Sequence, residues 1–145
     1  MPHEDVLPAL EAEFAAFWRR ARAATRDAAR GLDPHLDPTV FPLVALLGQV
    51  GPLRVSDLGT QLMLDKSTVS RQVDAAERAG LVERAVDATD ARARIVGLTA
   101  TGRERLTAVQ AQRRADWERQ LAGWTRDEVV ALTGLLAKLG ESGVS

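Results

Sequence analysis

The chain of 145 residues contains no cysteine. This absence excludes a disulfide framework, a thiolate nucleophile, a thiol redox sensor and a zinc site with sulfur ligands. Only 2 histidines are present, His3 and His35, and they lie far apart in segments that contain proline. Because a metal site needs several ligands close together, we interpret both as solvated loop residues and expect no metal or cofactor.

The sequence also has no marked excess of charge and no long apolar run. Its 19 Lys and Arg residues balance 20 Asp and Glu residues, so the net charge of -1 neither supports nor excludes a nucleic-acid partner. The longest mainly apolar stretch, residues 40–47, is far shorter than the roughly 20 residues of a membrane-spanning helix. The N-terminus lacks the pattern of a signal peptide. We therefore expect a cytoplasmic protein with no membrane partner.

Residue patterns typical of catalysis are missing as well. Ser56, Ser67 and Ser70 lie at predicted helix caps or inside predicted helices, and neither histidine has a catalytic context. The sequence has no glycine-rich phosphate loop and no metal-ligand cluster. We expect that the chain is not an enzyme.

Helical spacing of apolar residues is the dominant pattern that is present. Residues 4–30 predict one long helix, which Gly31 should end. At 1.5 Å per residue this helix would be about 40 Å long, more than so small a domain can cover, so part of its apolar face should meet another chain. A second, deeply buried helix is predicted from about Pro38 to the Gly51-Pro52 pair.

Two short helices are predicted in the middle of the chain. Ser56 is expected to cap the first helix, which runs to Leu62. Asp65 is expected to cap the second, residues 66–79, which stops at Gly80. Residues 81–86 and 94–98 then alternate apolar with polar or small residues around a turn-rich stretch, which predicts a β-hairpin.

Two further helices are predicted after the hairpin. Thr99 is expected to cap one that runs to about Leu121, and Thr125 to Glu128 has the S/T-x-x-E form of a capping box that begins the last helix. Their apolar faces have little protein left to cover, which favours a dimer. The predicted fold class is mainly α-helical with a small β-hairpin.

A helix-turn-helix followed by a hairpin wing is typical of DNA-binding proteins, whose second helix enters the major groove. At about 100° per residue, Val69, Val73 and Ala76 share one face of the predicted helix 66–79. The opposite face and its flanks carry side chains that suit bases or phosphates, and Lys66 adds charge at the helix start. These residues are Ser67, Thr68, Ser70, Arg71 and Arg78.

The same basic residues have a second interpretation. Lys66, Arg71 and Arg78 could solvate a surface helix and pair with Asp74 and Glu77 at helical spacing. In this alternative the basic residues stabilise the helix surface and have no role in DNA binding.

The hairpin tip favours DNA binding. Residues 90–94 place Arg92 between small residues, from where it could enter a narrow minor groove, and Arg94 follows as a further cation. Asp90 could orient Arg92 through a charge-assisted bond. The alternative is a plain surface ion pair of Asp90 with Arg92.

These residues resemble the MarR family (multiple antibiotic resistance regulators) of dimeric winged-helix transcription factors. The resemblance spans nearly the whole chain and is most specific in residues 55–84 and in the D-x-R motif at residues 90–92, which L-T-x-x-G follows at residues 98–102. It implies that residues 67–71 read bases, that Arg92 enters the minor groove and that Asp90 holds it. The sequence departs from the family pattern at two positions. Ala88 stands in the wing where the family frequently has proline. Gly59 stands where the family usually has alanine, and it would loosen the first helix of the helix-turn-helix.

From this resemblance we predict a single domain over residues 1–145. Residues 38–100 would form the winged helix-turn-helix, and residues 1–36 and 101–145 the dimerisation helices. The predicted function is a sequence-specific transcriptional regulator, in particular a repressor, that binds double-stranded DNA as a homodimer on a palindromic operator. The near-neutral charge leaves open a winged-helix protein-interaction module that does not bind DNA.

The resemblance also implies a small-molecule effector. Phenolic or other aromatic acids often bind members of this family between the dimer arms and the DNA reader. The candidates here are Phe14, Trp18, His35 and Phe41. Aromatic residues at helical spacing more often form a core, so a packing role is the alternative for each.

Overall fold

The computed structural model describes residues 2–143, and within them it contains helices and one small antiparallel sheet. The elements in chain order are α1 (Leu7–Leu32), a 3-10 helix (Pro38–Val40), α2 (Phe41–Val50), β1 (Leu53–Arg54), α3 (Val55–Leu62), α4 (Lys66–Arg78), β2 (Val82–Val86), β3 (Arg94–Leu98), α5 (Ala100–Gln120) and α6 (Arg126–Ser142). The predicted fold class, mainly α-helical with a small hairpin, is confirmed.

The chain divides into two compact units, Met1–Val109 and Gln110–Ser145. The first unit holds every element of the predicted winged helix-turn-helix, and the second holds α6. The predicted dimerisation ranges 1–36 and 101–145 include Met1, Val144 and Ser145, which lie outside the described residues. A single domain over the whole chain stays a prediction.

The end of α1 differs from the prediction. Gly31 was expected to stop the helix, but α1 continues to Leu32, whose side chain is buried in the core. The helix ends at Asp33, where the backbone becomes extended. A Cβ on Gly31 would lie 2.7 Å from a methyl group of Val109, so the missing side chain lets α1 approach α5 closely. Gly31 is therefore explained by the close packing of α1 against Val109 and not by the end of the helix.

The start of α3 is a second correction. Ser56 was expected to cap the helix, but α3 begins one residue earlier, at Val55, and no side chain caps it. The physical reason is that β1 runs directly into α3, so Arg54 is both the last strand residue and the residue that precedes the helix. Ser56 lies inside the first turn and is exposed.

The sheet has the strand order β1-β3-β2, and both strand pairs are antiparallel. The β2 and β3 strands form the predicted hairpin, in a register from Val82 opposite Leu98 to Val86 opposite Arg94. The two residues of β1 pair with Val96 and Ile95 on the other edge of β3. The strand that leads into the helix-turn-helix is therefore bonded to the wing.

One hydrophobic core fills the first unit. It takes residues from the C-terminal end of α1, from α2, α3 and α4, from the sheet and from the start of α5. The prediction that α2 is deeply buried is confirmed at Phe41, Leu43, Val44 and Leu47. The largest fully buried side chains are Leu32, Val40, Leu43, Val44, Leu47, Leu58, Val69, Val73, Leu81, Val82 and Val96.

The predicted caps of α5 and α6 are present. The Thr99 hydroxyl accepts a hydrogen bond from the Gly102 N–H at 2.9 Å and donates one to the Gly80 carbonyl at 2.6 Å. In the second unit, the Thr125 hydroxyl accepts from the Glu128 N–H at 3.1 Å, and the Glu128 carboxylate accepts from the Thr125 N–H at 2.8 Å. No helix among residues 2–143 is long and apolar enough to cross a membrane.

Gly102 lies where α5 meets the backbone of Leu81, and a Cβ at this position would collide with the Leu81 carbonyl oxygen. That oxygen already accepts a hydrogen bond from the Thr99 N–H, so the backbone cannot easily yield. We expect Gly102→Ala to lower the free energy of unfolding by about 1–3 kcal/mol in urea denaturation. Gly140→Ala, in open space on α6, is the control and should be neutral or slightly stabilising. If the two variants were equally stable, Gly102 would not lie in close contact with the Leu81 backbone.

Candidate nucleic-acid interface

The first turn of α4 is held by its N-cap residue, as predicted. One carboxylate oxygen of Asp65 accepts hydrogen bonds from the Thr68 N–H at 2.7 Å and from the Ser67 hydroxyl at 2.8 Å. The backbone bond from Thr68, followed by the bond from Ser67, lowers the pKa of Asp65 to about 2. Because the Ser67 proton is engaged, the oxygen of this hydroxyl is left to accept a hydrogen bond from outside.

The predicted division of α4 into two faces is confirmed. Val69, Val73 and Ala76 are each 0% exposed in the core. Ser67, Arg71 and Arg78 are exposed on the other side, Lys66 is exposed at the start, and Thr68 and Ser70 are half-buried between the faces. The outward side of the helix thus carries hydroxyls and cations, together with the acidic residues Asp74 and Glu77.

The two acidic residues of α4 bind an arginine from the sheet. A guanidinium nitrogen of Arg84, on β2, lies 2.6 Å from the Asp74 carboxylate, and another lies 3.0 Å from the Glu77 carboxylate. The hydrogen bond that Arg84 donates to Asp74 is the main cause of a raised pKa of Arg84. Sequence reasoning missed Arg84, because its acidic partners are 7 and 10 residues away on another element.

This network removes the partners that the surface-helix interpretation of α4 requires. Lys66, Arg71 and Arg78 form no ion pair with the residues that the structure describes. Arg71 has a long hydrogen bond, 3.4 Å, to the Thr68 hydroxyl of its own helix, and its charge contributes slightly to the lowered pKa of Asp65. The exposed cations of α4 are therefore available to an external anion.

The wing tip follows β2 as a turn closed by hydrogen bonds. The Asp87 N–H donates to the Ala93 carbonyl at 3.2 Å, and the Ala93 N–H donates to the Asp90 carbonyl at 3.1 Å. Arg92 is exposed at this tip.

The predicted bond between Asp90 and the Arg92 guanidinium is replaced by another contact. The Asp90 carboxylate accepts from the backbone N–H of Arg92 at 3.0 Å. A short aspartate side chain readily bonds the backbone two residues ahead, and this satisfies a donor of the turn itself. Asp90 thus shapes the backbone and leaves the Arg92 guanidinium without a partner among the described residues.

Arg94 lies at the start of β3 and folds back over the turn. One of its guanidinium nitrogens is 3.2 Å from the Ala91 carbonyl and 3.3 Å from the Ala93 carbonyl. Arg94 is exposed, so these bonds leave its other donors accessible. A DNA contact by Arg94 stays a prediction.

The structure places the four effector candidates in three different surroundings. Phe14 and Trp18 contact each other edge to face at 5.8 Å between ring centroids, and Phe17 joins them on the exposed part of α1. Phe41 is only 4% exposed and belongs to the core. His35 lies exposed in the turn after α1, where its backbone N–H donates to the Asp33 carboxylate at 2.8 Å.

A cavity of about 300 Å³ lies between the 3-10 helix and α4. Asp37, Thr39, Thr68, Arg71 and Gln72 line it, and none of them was an effector candidate. The buried Gln72 Oε1 has no hydrogen-bond partner among the described residues. The cavity is thus lined both by Gln72, which has an acceptor without a partner, and by Arg71 of the exposed face of α4.

The fold and the exposed basic face define a winged helix-turn-helix protein. Residues 36–93 match the model of the MarR family. The HTH-type transcriptional regulator YxaD of Bacillus subtilis (strain 168) is 30% identical over 142 residues, which are 98% of each chain. This relationship and the family match show that the chain belongs to the MarR family and is a transcriptional regulator. The expectation that it is not an enzyme is confirmed by this membership.

Solved structures show the same architecture. The crystal structure of RV1404 from Mycobacterium tuberculosis has a TM-score of 0.76 at 25% identity, and the match covers 98% of this chain and 97% of that one. FabT of Streptococcus pneumoniae, solved in complex with DNA, has a TM-score of 0.82 at 18% identity, with 93% and 95% covered. The likeness to FabT is one of fold.

The lowered pKa of Asp65 gives a pH dependence of known sign. Since the folded pKa of about 2 lies below the model-peptide value of 3.8, the ionised cap stabilises the fold above about pH 4, and this contribution is lost as the pH falls toward 2. Asp65→Asn keeps an oxygen at the cap but removes the charge. We expect the gap between the urea midpoints of wild type and variant to be constant from pH 7 to about pH 4.5 and to shrink below about pH 4. If the difference between the two urea midpoints is still unchanged at pH 2.5, the ionised Asp65 carboxylate does not stabilise the fold as a helix cap.

Proposed function

We propose that the chain is a sequence-specific DNA-binding repressor that acts in the cytoplasm as a homodimer on a palindromic operator. One observation carries the proposal. The cations of α4 and of the wing tip are exposed and unpaired among the described residues, while Arg84 engages both acidic side chains of α4. A cation without an internal partner binds phosphate or a base edge without first breaking an ion pair.

The distribution of charge explains how a nearly neutral protein binds a polyanion. The formal net charge of the chain is -1. The outer face of α4 nevertheless presents Lys66, Arg71 and Arg78, and Arg84 offsets one of the two negative charges of Asp74 and Glu77. A local positive field is sufficient, because salt screens charges beyond about 10 Å. This argues against a protein-interaction module, which would not need three cations of one helix to be free of ion pairs.

In the proposed complex, α4 and the wing each bind a different groove of the DNA. α4 lies in the major groove, where the hydroxyls of Ser67, Thr68 and Ser70 and the fork of Arg71 face base edges. Lys66 and Arg78 bind phosphates on either side. Arg92 enters the minor groove and Arg94 lies beside it. The fold shared with FabT, which was solved in complex with DNA, supports this arrangement.

The homodimer is inferred from apolar surface that each unit leaves exposed. In the first unit, α1 exposes Leu10 and Trp18 by 57% and 49%. In the second unit, α6 has no buried residue among those described, and Leu135 is 64% exposed. Contiguous apolar faces of this kind mark association surfaces, and a second copy of the chain covers both.

The effector is a further part of the proposal. A small aromatic or phenolic acid would stack on the half-buried ring of Phe14 and the exposed ring of Trp18 and shift the dimer away from its DNA-binding form. The burial of Phe41 favours a packing role for that residue, and the exposed His35 supplies a donor at the end of α1.

Two substitutions on α4 should give different DNA-binding defects. We expect Arg71→Ala to lower operator affinity by about 1–3 kcal/mol and to relax sequence preference at one position in each half-site. Lys66→Ala should weaken operator and random DNA alike and reduce the salt slope by about 1. Fluorescence anisotropy at several salt concentrations measures both effects.

The matched control is Arg30→Ala, on α1, where the arginine lies 3.5 Å from Asp27 of the same helix. This variant should bind like wild type. If Arg71→Ala and Lys66→Ala also bind both DNAs like wild type, α4 does not face the groove and the proposed function fails.

The dimer is tested separately by multi-angle light scattering. The expected mass is about twice the 15.7 kDa of one chain. Half-sites of the operator should then be centred about 10 to 10.5 bp apart. A species of one chain at micromolar concentration, with or without DNA, would exclude both the homodimer and the palindrome.

A further inference from the structure

Arg54 forms a contact that the DNA-facing residues do not explain. Its Nε lies 2.6 Å from a carboxylate oxygen of Asp87, and another guanidinium nitrogen donates to the Thr89 hydroxyl at 3.2 Å. The second carboxylate oxygen of Asp87 accepts from both the N–H and the hydroxyl of Thr89, each at 2.9 Å. Arg54, Asp87 and Thr89 therefore form a closed triangle, which we call the wing clamp.

The wing clamp connects two elements that are distant in sequence. Arg54 ends β1 and immediately precedes α3, the first helix of the helix-turn-helix. Asp87 is the first residue after β2, at the base of the wing turn. The clamp thus ties the start of the helix-turn-helix to the turn that carries Arg92.

Burial makes Arg54 the necessary member of the clamp. Asp87 is only 7% exposed and is the one charged residue among those described that is buried. A buried carboxylate needs a paired cation, and the Thr89 bonds alone leave one of its oxygens without a partner. Without Arg54, the carboxylate would turn toward water and take the start of the turn with it. The same bonds lower the pKa of Asp87, the backbone bond from Thr89 most of all, so the carboxylate is charged at neutral pH.

We propose that Arg54 is a positioning residue of the wing, which holds the turn at residues 87–93 so that Arg92 faces the minor groove. The effect on DNA rests on the proposed function, whereas the effect on the turn does not. Arg54 itself is expected to make no essential DNA contact, because two of its donors are directed at Asp87 and Thr89.

The first test needs no DNA. In the full-length chain, Arg54→Gln should increase amide hydrogen exchange at Asp87, Thr89, Arg92 and Ala93 by about tenfold or more and leave α4 unchanged. Arg54→Lys, which keeps the charge but cannot reach both partners at once, should lie between, and it replaces Arg54→Gln if that variant does not fold. Arg30→Gln is the control. Unchanged exchange in the turn of a folded variant would overturn the clamp.

The second test is a double-mutant cycle with Arg92→Ala on a duplex that the wild-type protein has selected from random DNA. We expect Arg54→Gln to lower affinity about fivefold and Arg92→Ala about tenfold, with the larger loss on A·T-rich flanks than on G·C-rich flanks. The double variant should bind within about twofold of Arg92→Ala alone, because Arg54 acts through Arg92. The affinity losses of Arg71→Ala and Arg54→Gln, in contrast, should be additive, because Arg71 does not act through the wing.

The outcomes distinguish the inference from the proposed function. Additive losses for Arg54→Gln and Arg92→Ala would show that Arg54 binds DNA itself, and the positioning role would fail. If the wild-type chain selects no duplex, the proposed function fails, while hydrogen exchange still decides whether Arg54 holds the turn.

Discussion

The burial of one face of α4 is the constraint on which the rest of the interface depends. Val69, Val73 and Ala76 are completely buried, and burial of a valine side chain alone stabilises a fold by about 1.5–3 kcal/mol. Turning the helix would expose this face and bury Arg71 without a partner, at a cost of several kcal/mol. The hydroxyls and cations opposite are therefore held outward by the hydrophobic core and need no contact of their own.

Two arginines that pair with acidic residues of other elements complete this arrangement. Arg84 joins β2 to the acidic residues of α4, and Arg54 joins β1 to the base of the wing. Both strands pair with β3, so α4 and the wing are attached to the same short sheet. The ion pairs also offset part of the acidic charge of α4 and of the wing turn. A chain with a net charge near zero thereby presents cations where a nucleic acid would lie.

Much of the fold could be predicted because its signals are local. The caps at Asp65, Thr99 and Thr125 each bond an N–H three residues ahead, and such spacing is visible in the sequence. Helical periodicity placed the buried face of α4 correctly, and alternation placed the hairpin. Gly80 has the positive φ, 76°, of a residue that follows a helix. In all these cases the decisive contacts lie within a few residues of each other.

The sequence by itself thus determined most of the elements, the caps at Asp65, Thr99 and Thr125, and the buried face of α4. Only the tertiary structure decided which charges pair, because Arg84 pairs with Asp74 across 10 residues and Arg54 pairs with Asp87 across 33. Only the tertiary structure showed that Gly31 serves the approach of α1 to Val109, and that β1 leads directly into α3. The physical reason is the same throughout. Helix caps and periodicity follow from backbone geometry within one or two turns, whereas ion pairs and close packing depend on how separate elements meet.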